Sequence, residues 1–222
     1  MASDTPPPTP QRNGGSKPRT RVYGVLGGIA SGKSAVARGL AGVDGLVLDA
    51  DAIVGELYLQ DELQRRIRET FGPAVFDSAG RLDRPALARV VFDDPAARKL
   101  LESWIHPAVR RELRTRLEAA RHAGIGRVVL DVPLLLENES EHHLPEECDA
   151  LIFVDTQARV RDLRAVQSRG WESGEVARRE ALQMPLARKR SRAHHVVTND
   201  GDAAQLRTAI ETVLRTLESR EH

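Results

Sequence analysis

The chain of 222 residues contains one cysteine, Cys148. A single thiol forms no internal disulfide, which excludes a stapled secreted scaffold and suits a reducing compartment. No apolar run approaches the ~20 residues that cross a bilayer, and the first residues lack the apolar core of a signal peptide. Net charge is nearly missing as well. The 33 basic and 32 acidic residues leave +1, so no global field draws the chain to nucleic acid or to a membrane. Internal repeats are absent. Together these absences predict a soluble, cytoplasmic protein without a nucleic-acid or membrane partner; a monomer is expected, though nothing in the sequence fixes the oligomeric state.

What is present is ordinary for a globular fold, with 41% hydrophobic and 29% charged residues. The length suits one sizeable domain or a core with inserted subdomains. Residues 1–20, MASDTPPPTPQRNGGSKPRT, have little to bury and read as a disordered tail ahead of a domain over 21–222. From Val22 short apolar runs alternate with helical spacing. VYGVLG, Leu46 to Leu48, RVVLDVPLL, ALIFVD and HHVVTND read as strands. Helical spacing runs through Leu63, Ile67 and Phe71. It recurs through Val109, Leu113 and Leu117, in a helix expected to begin near His106-Pro107, and in a terminal helix through Leu206, Ile210, Val213 and Leu217. Short buried strands alternating with helices predict an α/β fold with a five-stranded parallel sheet covered on both sides. Two passages break the rhythm: a helical insert over about 52–126, and an arginine-dense helical insert over about 159–193.

After the first strand comes GGIASGKS. Gly27, Gly32, Lys33 and Ser34 satisfy G-x-x-x-x-G-K-[ST] between a strand and a helix. In such a loop, backbone N–H groups and the helix N-terminus bind phosphate, and glycines permit the close approach. The candidate nucleotide contacts are Gly28, Ile29, Ala30, Ser31, Gly32, Lys33, Ser34 and Ala35. Lys33 is expected to reach the terminal phosphates of ATP, and the Ser34 hydroxyl to ligate Mg²⁺. No guanine-reading Asn-Lys-x-Asp segment accompanies the loop, which disfavours a GTPase.

Asp49 and Asp51 follow the second strand. If the segment is extended, residues two apart face the same way, so both are candidates for the crevice at the carboxyl ends of the strands. A carboxylate there accepts a proton from an incoming hydroxyl or holds a metal-bound water. The competing reading is a helix cap, with Asp51 preceding AIVGEL. Asp131 ends the third strand in a position for a second carboxylate on the metal side.

The loop, DADAIV, FGPAVFDSAGRLDRPALARVVFDDP, LESWIHPAVR, VVLDVPLLLE and ARREALQMPLARKRSRAHHVVTNDG together resemble the dephospho-CoA kinase family from residue 22 to the C-terminal helix. The resemblance implies a P-loop kinase fold of three layers, with a helical acceptor-binding insert and a helical lid. It further implies phosphorylation of the ribose 3′-hydroxyl of dephospho-CoA by Mg·ATP, the last step of coenzyme A biosynthesis. Asp51 is then the general base. Arg84, His106, Pro107 and the segment Pro133, Leu134, Leu135, Glu137 help Asp49 and Asp51 line the acceptor site. His106-Pro107 can equally be a helix start, and Leu134 and Leu135 read as core in either case. In the lid the family pattern falls on Arg179, Gln183 and Lys189, with Asn199 near the adenine. Ala165 stands where the family commonly has an arginine, leaving the catalytic lid residue open between Arg164 and Arg169. His194 replaces a usual aspartate, and Ala35 a common threonine.

Two rivals remain at this level: another small-molecule kinase on the same scaffold, and a nucleotide-binding module without turnover. The segment ENESEHHLPEEC resembles metal ligands, but adjacent histidines rarely converge tetrahedrally. Trp104 and Trp171 read as packing residues.

Overall fold

The computed structural model describes residues 19–219. The stretch 1–18, most of the expected tail, lies outside them. Arg19 and Thr20, assigned to that tail from composition, instead join the fold: Arg19 pairs with Asp149 at 2.6 Å and Thr20 is buried.

Strand β1 (Arg21–Gly27) leads into helix α1 (Lys33–Ala41), and β2 (Leu46–Asp49) into α2 (Ala50–Leu57). Helices α3 (Asp61–Phe71), α4 (Arg84–Asp93) and α5 (Pro95–Ala123) precede β3 (Arg127–Asp131). A short α6 (Glu139–His142) and β4 (Ala150–Asp155) follow. Then come α7 (Ala158–Arg169), α8 (Glu175–Glu180), α9 (Leu186–Ser191), β5 (His195–Thr198) and α10 (Ala203–Ser219). The five strands form one parallel sheet in the order β2-β3-β1-β4-β5.

Alternation along the strands sends side chains to both faces. Val22, Leu26, Leu48, Leu130 and Phe153 pack with Ile53, Ile67, Leu113 and Leu117 of the helices between β2 and β3. Tyr23, Val25, Val129, Ile152 and Val197 pack with Leu40 of α1 and with Ile210 and Val213 of α10. Each such buried aliphatic side chain contributes about 1.5–3 kcal/mol of transfer free energy. The result is a three-layer α/β architecture, with helices on both faces of one parallel sheet.

The chain winds from β1 outward to β2, returns to β3, then crosses β1 to reach β4. The loop after β1 therefore emerges where the winding reverses, the place where ligands of open α/β sheets bind.

Local chemistry shifts two expected boundaries. The third apolar run continues to Leu135, yet β3 stops at Asp131. Pro133 has no N–H for a ladder, and Leu134 adopts φ 55°, incompatible with a strand. The helix expected to start at His106-Pro107 instead starts at Pro95. Asp94 caps it by accepting from Ala96 and Ala97 N–H at 2.8 and 3.1 Å. Pro107 lies inside that helix and is exposed. The hydrogen bond it omits is offset by a buried stripe, Leu101, Ile105, Val109, Leu113 and Leu117, along the same helix.

Candidate active site

Gly27, Gly32, Lys33 and Ser34 close a loop around an open cleft of about 760 Å³. The loop geometry explains its composition. Gly27 has φ 153° and Gly32 φ 87°, conformations that disfavour a Cβ. At Gly32 a Cβ would also lie 2.3 Å from Asn199 Nδ2. Ala30 takes a left-handed φ of 57° between them.

The Ser31 carbonyl is fixed from the far end of the sheet. Asn199 Nδ2 donates to it at 2.7 Å, Thr156 Oγ1 at 3.0 Å and Arg164 Nη1 at 3.5 Å. Buried Asn199 thus holds the loop, and it does not line the cleft where an adenine contact was expected.

Lys33 Nζ donates to Gly28 O at 2.7 Å and to Gly27 O at 3.4 Å. Burial pushes its ammonium down from 10.5 to about 8; Asp131 opposes that shift, and Lys189 and Arg169 add to it.

Across the cleft stand Asp51 and Asp131. In the register of β2 and β3, Asp49 lies opposite Asp131, so two chain-distant carboxylates sit side by side at the strand ends. Asp51 follows on the first turn of α2, not on an extended segment. The helix cap is Asp49, which accepts from Ala52 N–H at 3.0 Å. Of the two aspartates, the helix-cap alternative therefore falls on Asp49 and not on Asp51. Burial raises Asp51 above the ordinary carboxylate value, and the negative charges of Asp49 and Asp131 raise it further.

The remaining wall carries Pro133, Leu134, Leu135, Glu137, Gln183 and Lys189. Leu135 is core, whereas Leu134, expected there too, is exposed. Buried Lys189 pairs with Glu137 at 2.7 Å and reaches Gln183 at 3.4 Å, joining α9 to the segment after β3. Helix α7 brings both Arg164 and Arg169 to the cleft.

Several expected residues stand elsewhere. Exposed Arg84, the first residue of α4 behind its Asp83 cap, lies 5.0 Å from the Tyr58 ring centroid and outside the cleft lining. His106 is exposed mid-helix. Asp49 caps its helix without lining the cleft. Arg179 pairs with Glu175 at 2.6 Å and lies 4.2 Å from the Trp171 ring. Trp171, read as a packing residue, therefore carries Arg179 and, at 4.9 Å, Arg169. Gly28 faces away from the cleft, toward Glu180 and Arg161. Arg38, Gln167 and Ser168 also line the cleft and were not singled out from the sequence. For Arg38 a signal existed, since it lies four residues after Ser34 on the same helix face.

Among the described residues no three His, Cys, Asp or Glu side chains could together hold a metal ion. In ENESEHHLPEEC, Glu139 pairs with Arg192, Glu141 with Arg110 and His143 with Glu146. The cleft offers hard oxygen donors, the Ser34 hydroxyl with Asp51 and Asp131. That set fits Mg²⁺, which takes few protein ligands and keeps substrate phosphates and waters. Burial drives the Cys148 thiol up to about 12, so it is inert. No described helix is long and apolar enough to cross a membrane.

Comparison with known proteins agrees with this geometry. Residues 21–205 match the family model described as dephospho-CoA kinase. A protein of that name from Symbiobacterium thermophilum is 40% identical over 197 residues, 88% of this chain and 80% of its own length. One from Corynebacterium diphtheriae is 35% identical over 201 residues, 90% of this chain and 96% of its own. A crystal structure from Thermus thermophilus, 36% identical, superposes with a TM-score of 0.70 over 90% of this chain and 98% of that one. In fold alone, a shikimate kinase from Acinetobacter baumannii reaches 0.51 at 16% identity, over 91% and 94% of the two chains.

Proposed function

This chain belongs to the dephospho-CoA kinase family, kinases of the last step of coenzyme A biosynthesis, and on that premise we propose that the cleft between Lys33 and Asp51 carries phosphoryl transfer from ATP to the ribose 3′-hydroxyl of dephospho-CoA. The observation that carries the assignment of roles is the placement of the phosphate loop and two carboxylates on opposite sides of one cleft.

The loop N–H groups other than that of Ile29, which Glu180 holds, and Lys33 receive the ATP phosphates. Lys33 exchanges the Gly28 carbonyl for phosphate oxygens, and the negative charge restores its full protonation. Ser34 would hold Mg²⁺, with Asp131 and Asp51 beside it; bound there, the ion would neutralise phosphate charge. Asp51 orients the acceptor hydroxyl and takes its proton at the carboxylate oxygen. Its raised basicity suits that task. Arg169, whose charge acts on both Lys33 and Asp51, neutralises charge on the transferring group. Arg164, anchored on Ser31 O, supports the phosphates from the loop side. Phosphoryl transfer asks mainly for positioning and charge compensation, and these residues supply both. The Lys189–Glu137 pair holds α9 over the acceptor wall, so that α7 to α9 exclude water as a lid over about 159–193. Helices α2 to α5, within about 52–126, form the acceptor side. A cytoplasmic monomer completes the proposal.

The test is mass-spectrometric product analysis with Mg·ATP and dephospho-CoA, against adenosine, AMP and shikimate as acceptors. Formation of CoA with matching ADP is expected. ADP without CoA assigns a different acceptor, and ATP binding without turnover makes the protein a binding module. Asp51→Asn is expected to lower kcat by about 10²–10⁴-fold with ATP affinity within about twofold of wild type; near-normal turnover removes Asp51 from the base role.

A further inference from the structure

Besides the Arg164 contact to Ser31 O, lid and phosphate loop meet at the peptide unit between Gly28 and Ile29. On one side its carbonyl accepts from Lys33 Nζ at 2.7 Å. On the other its N–H, on Ile29, donates to Oε1 of Glu180 at 2.6 Å. Glu180 is the last residue of α8. Its carboxylate pairs with Arg161 of α7, and the two side chains are only 14% and 7% exposed. Arg161 is itself anchored, donating from Nε to Thr156 O at 3.0 Å. Thr156 in turn holds Ser31 O.

The fit is tight. A Cβ on Gly28 would lie 2.5 Å from Glu180 Oε1 and 2.6 Å from Arg161 Nη1. Position 28 is therefore glycine because the loop backbone lies directly on this ion pair, not because a phosphate approaches there.

A glycine beside a peptide bond makes rotation of that peptide easy. Three partners oppose rotation: Lys33 Nζ and, at 3.3 Å, the Ser31 N–H on the carbonyl, and Glu180 on the N–H. Once Lys33 turns to phosphate, the longer Ser31 contact and Glu180 hold this peptide, with Glu180 its charged partner. We propose that Glu180 is a positioning residue: buttressed by Arg161, it fixes the Gly28–Ile29 peptide for nucleotide binding and ties the lid helices to the phosphate loop. The inference rests on the reading of the cleft as the ATP site. A loop that samples the competent conformation only part of the time binds more weakly by that fraction.

Titration calorimetry of the full chain with a non-hydrolysable ATP analogue and Mg²⁺ tests this. Losing one hydrogen bond to a charged acceptor should weaken analogue binding of Glu180→Ala about tenfold or more, with dephospho-CoA binding within about twofold of wild type. Glu180→Ala also strands the buried Arg161 charge and lowers the melting temperature. The double variant Arg161→Leu/Glu180→Leu removes that charge as well. It should recover melting temperature while nucleotide affinity stays low, a separation that a purely structural role does not produce. Analogue affinity of Glu180→Ala less than about threefold below wild type, or above it, overturns the inference. So does a double variant in which affinity returns together with stability. Wild-type protein that binds dephospho-CoA but no nucleotide refutes the ATP reading itself, and this inference with it.

Discussion

Raising the pH should weaken ATP binding through Lys33. Burial in the loop holds this ammonium at about 8, against an ordinary 10.5. A bound triphosphate favours the charged form, so its pKa returns toward the ordinary value and binding takes up a proton once the free lysine has lost its own. With a bound value of about 10.5, affinity falls about eightfold between about pH 7.5 and about pH 9, and proton uptake rises from about 0.2 to about 0.9 per site. Folding carries the opposite sign. The unfolded lysine holds its proton to higher pH than the native one, so this group makes the ligand-free protein more stable as pH rises from about 8 to about 10.5. Calorimetric titration with a non-hydrolysable ATP analogue, in buffers of different ionisation enthalpy, reads affinity and proton uptake together. Lys33→Arg, which stays charged, should give a flat profile at lower affinity. Wild-type affinity constant within about twofold over that range, with uptake below about 0.2 proton at the upper end, refutes the reasoning. A Lys33→Arg slope equal to the wild type assigns the proton to another group.

Asp49→Asn keeps the helix cap, since asparagine also accepts from Ala52 N–H, but removes a charge that raises Asp51. Asp51 must be ionised to act as a base, so a lower pKa extends activity downward: the acid limb of kcat/KM should move to lower pH, and a limb that stays in place excludes Asp51 as its source. Gly32→Ala forces a Cβ onto Asn199 Nδ2 at φ 87°. Nucleotide affinity should fall by more than about tenfold and stability by about 1–3 kcal/mol, measured by calorimetry and denaturant unfolding. An alanine variant with wild-type affinity shows that the loop has slack.

Local features of this protein were legible in the sequence. The phosphate loop was, because Gly27 and Gly32 answer backbone requirements and Lys33 and Ser34 complete the same eight consecutive residues; Gly28 answers a tertiary one. The parallel sheet was, because runs such as ALIFVD are too short and too apolar for anything but a strand buried on both faces. Boundaries failed where a local rule competed with burial: Pro107 marks a helix start by propensity, yet a stripe from Leu101 to Leu117 carries the helix through it.

Partnership, by contrast, is decided by the fold. Register alone sets Asp49 beside Asp131. Asn199 reached Ser31 across 168 residues, and Glu180 reached Ile29 across 151. Arg84 and His106, in motifs as conspicuous as any other, came to rest outside the cleft lining. Periodicity records which face of an element is apolar; it carries no record of which distant element will meet that face. Only the packed sheet and its two helical inserts supply that, because contacts between chain-distant groups exist only once the intervening chain has closed around its core.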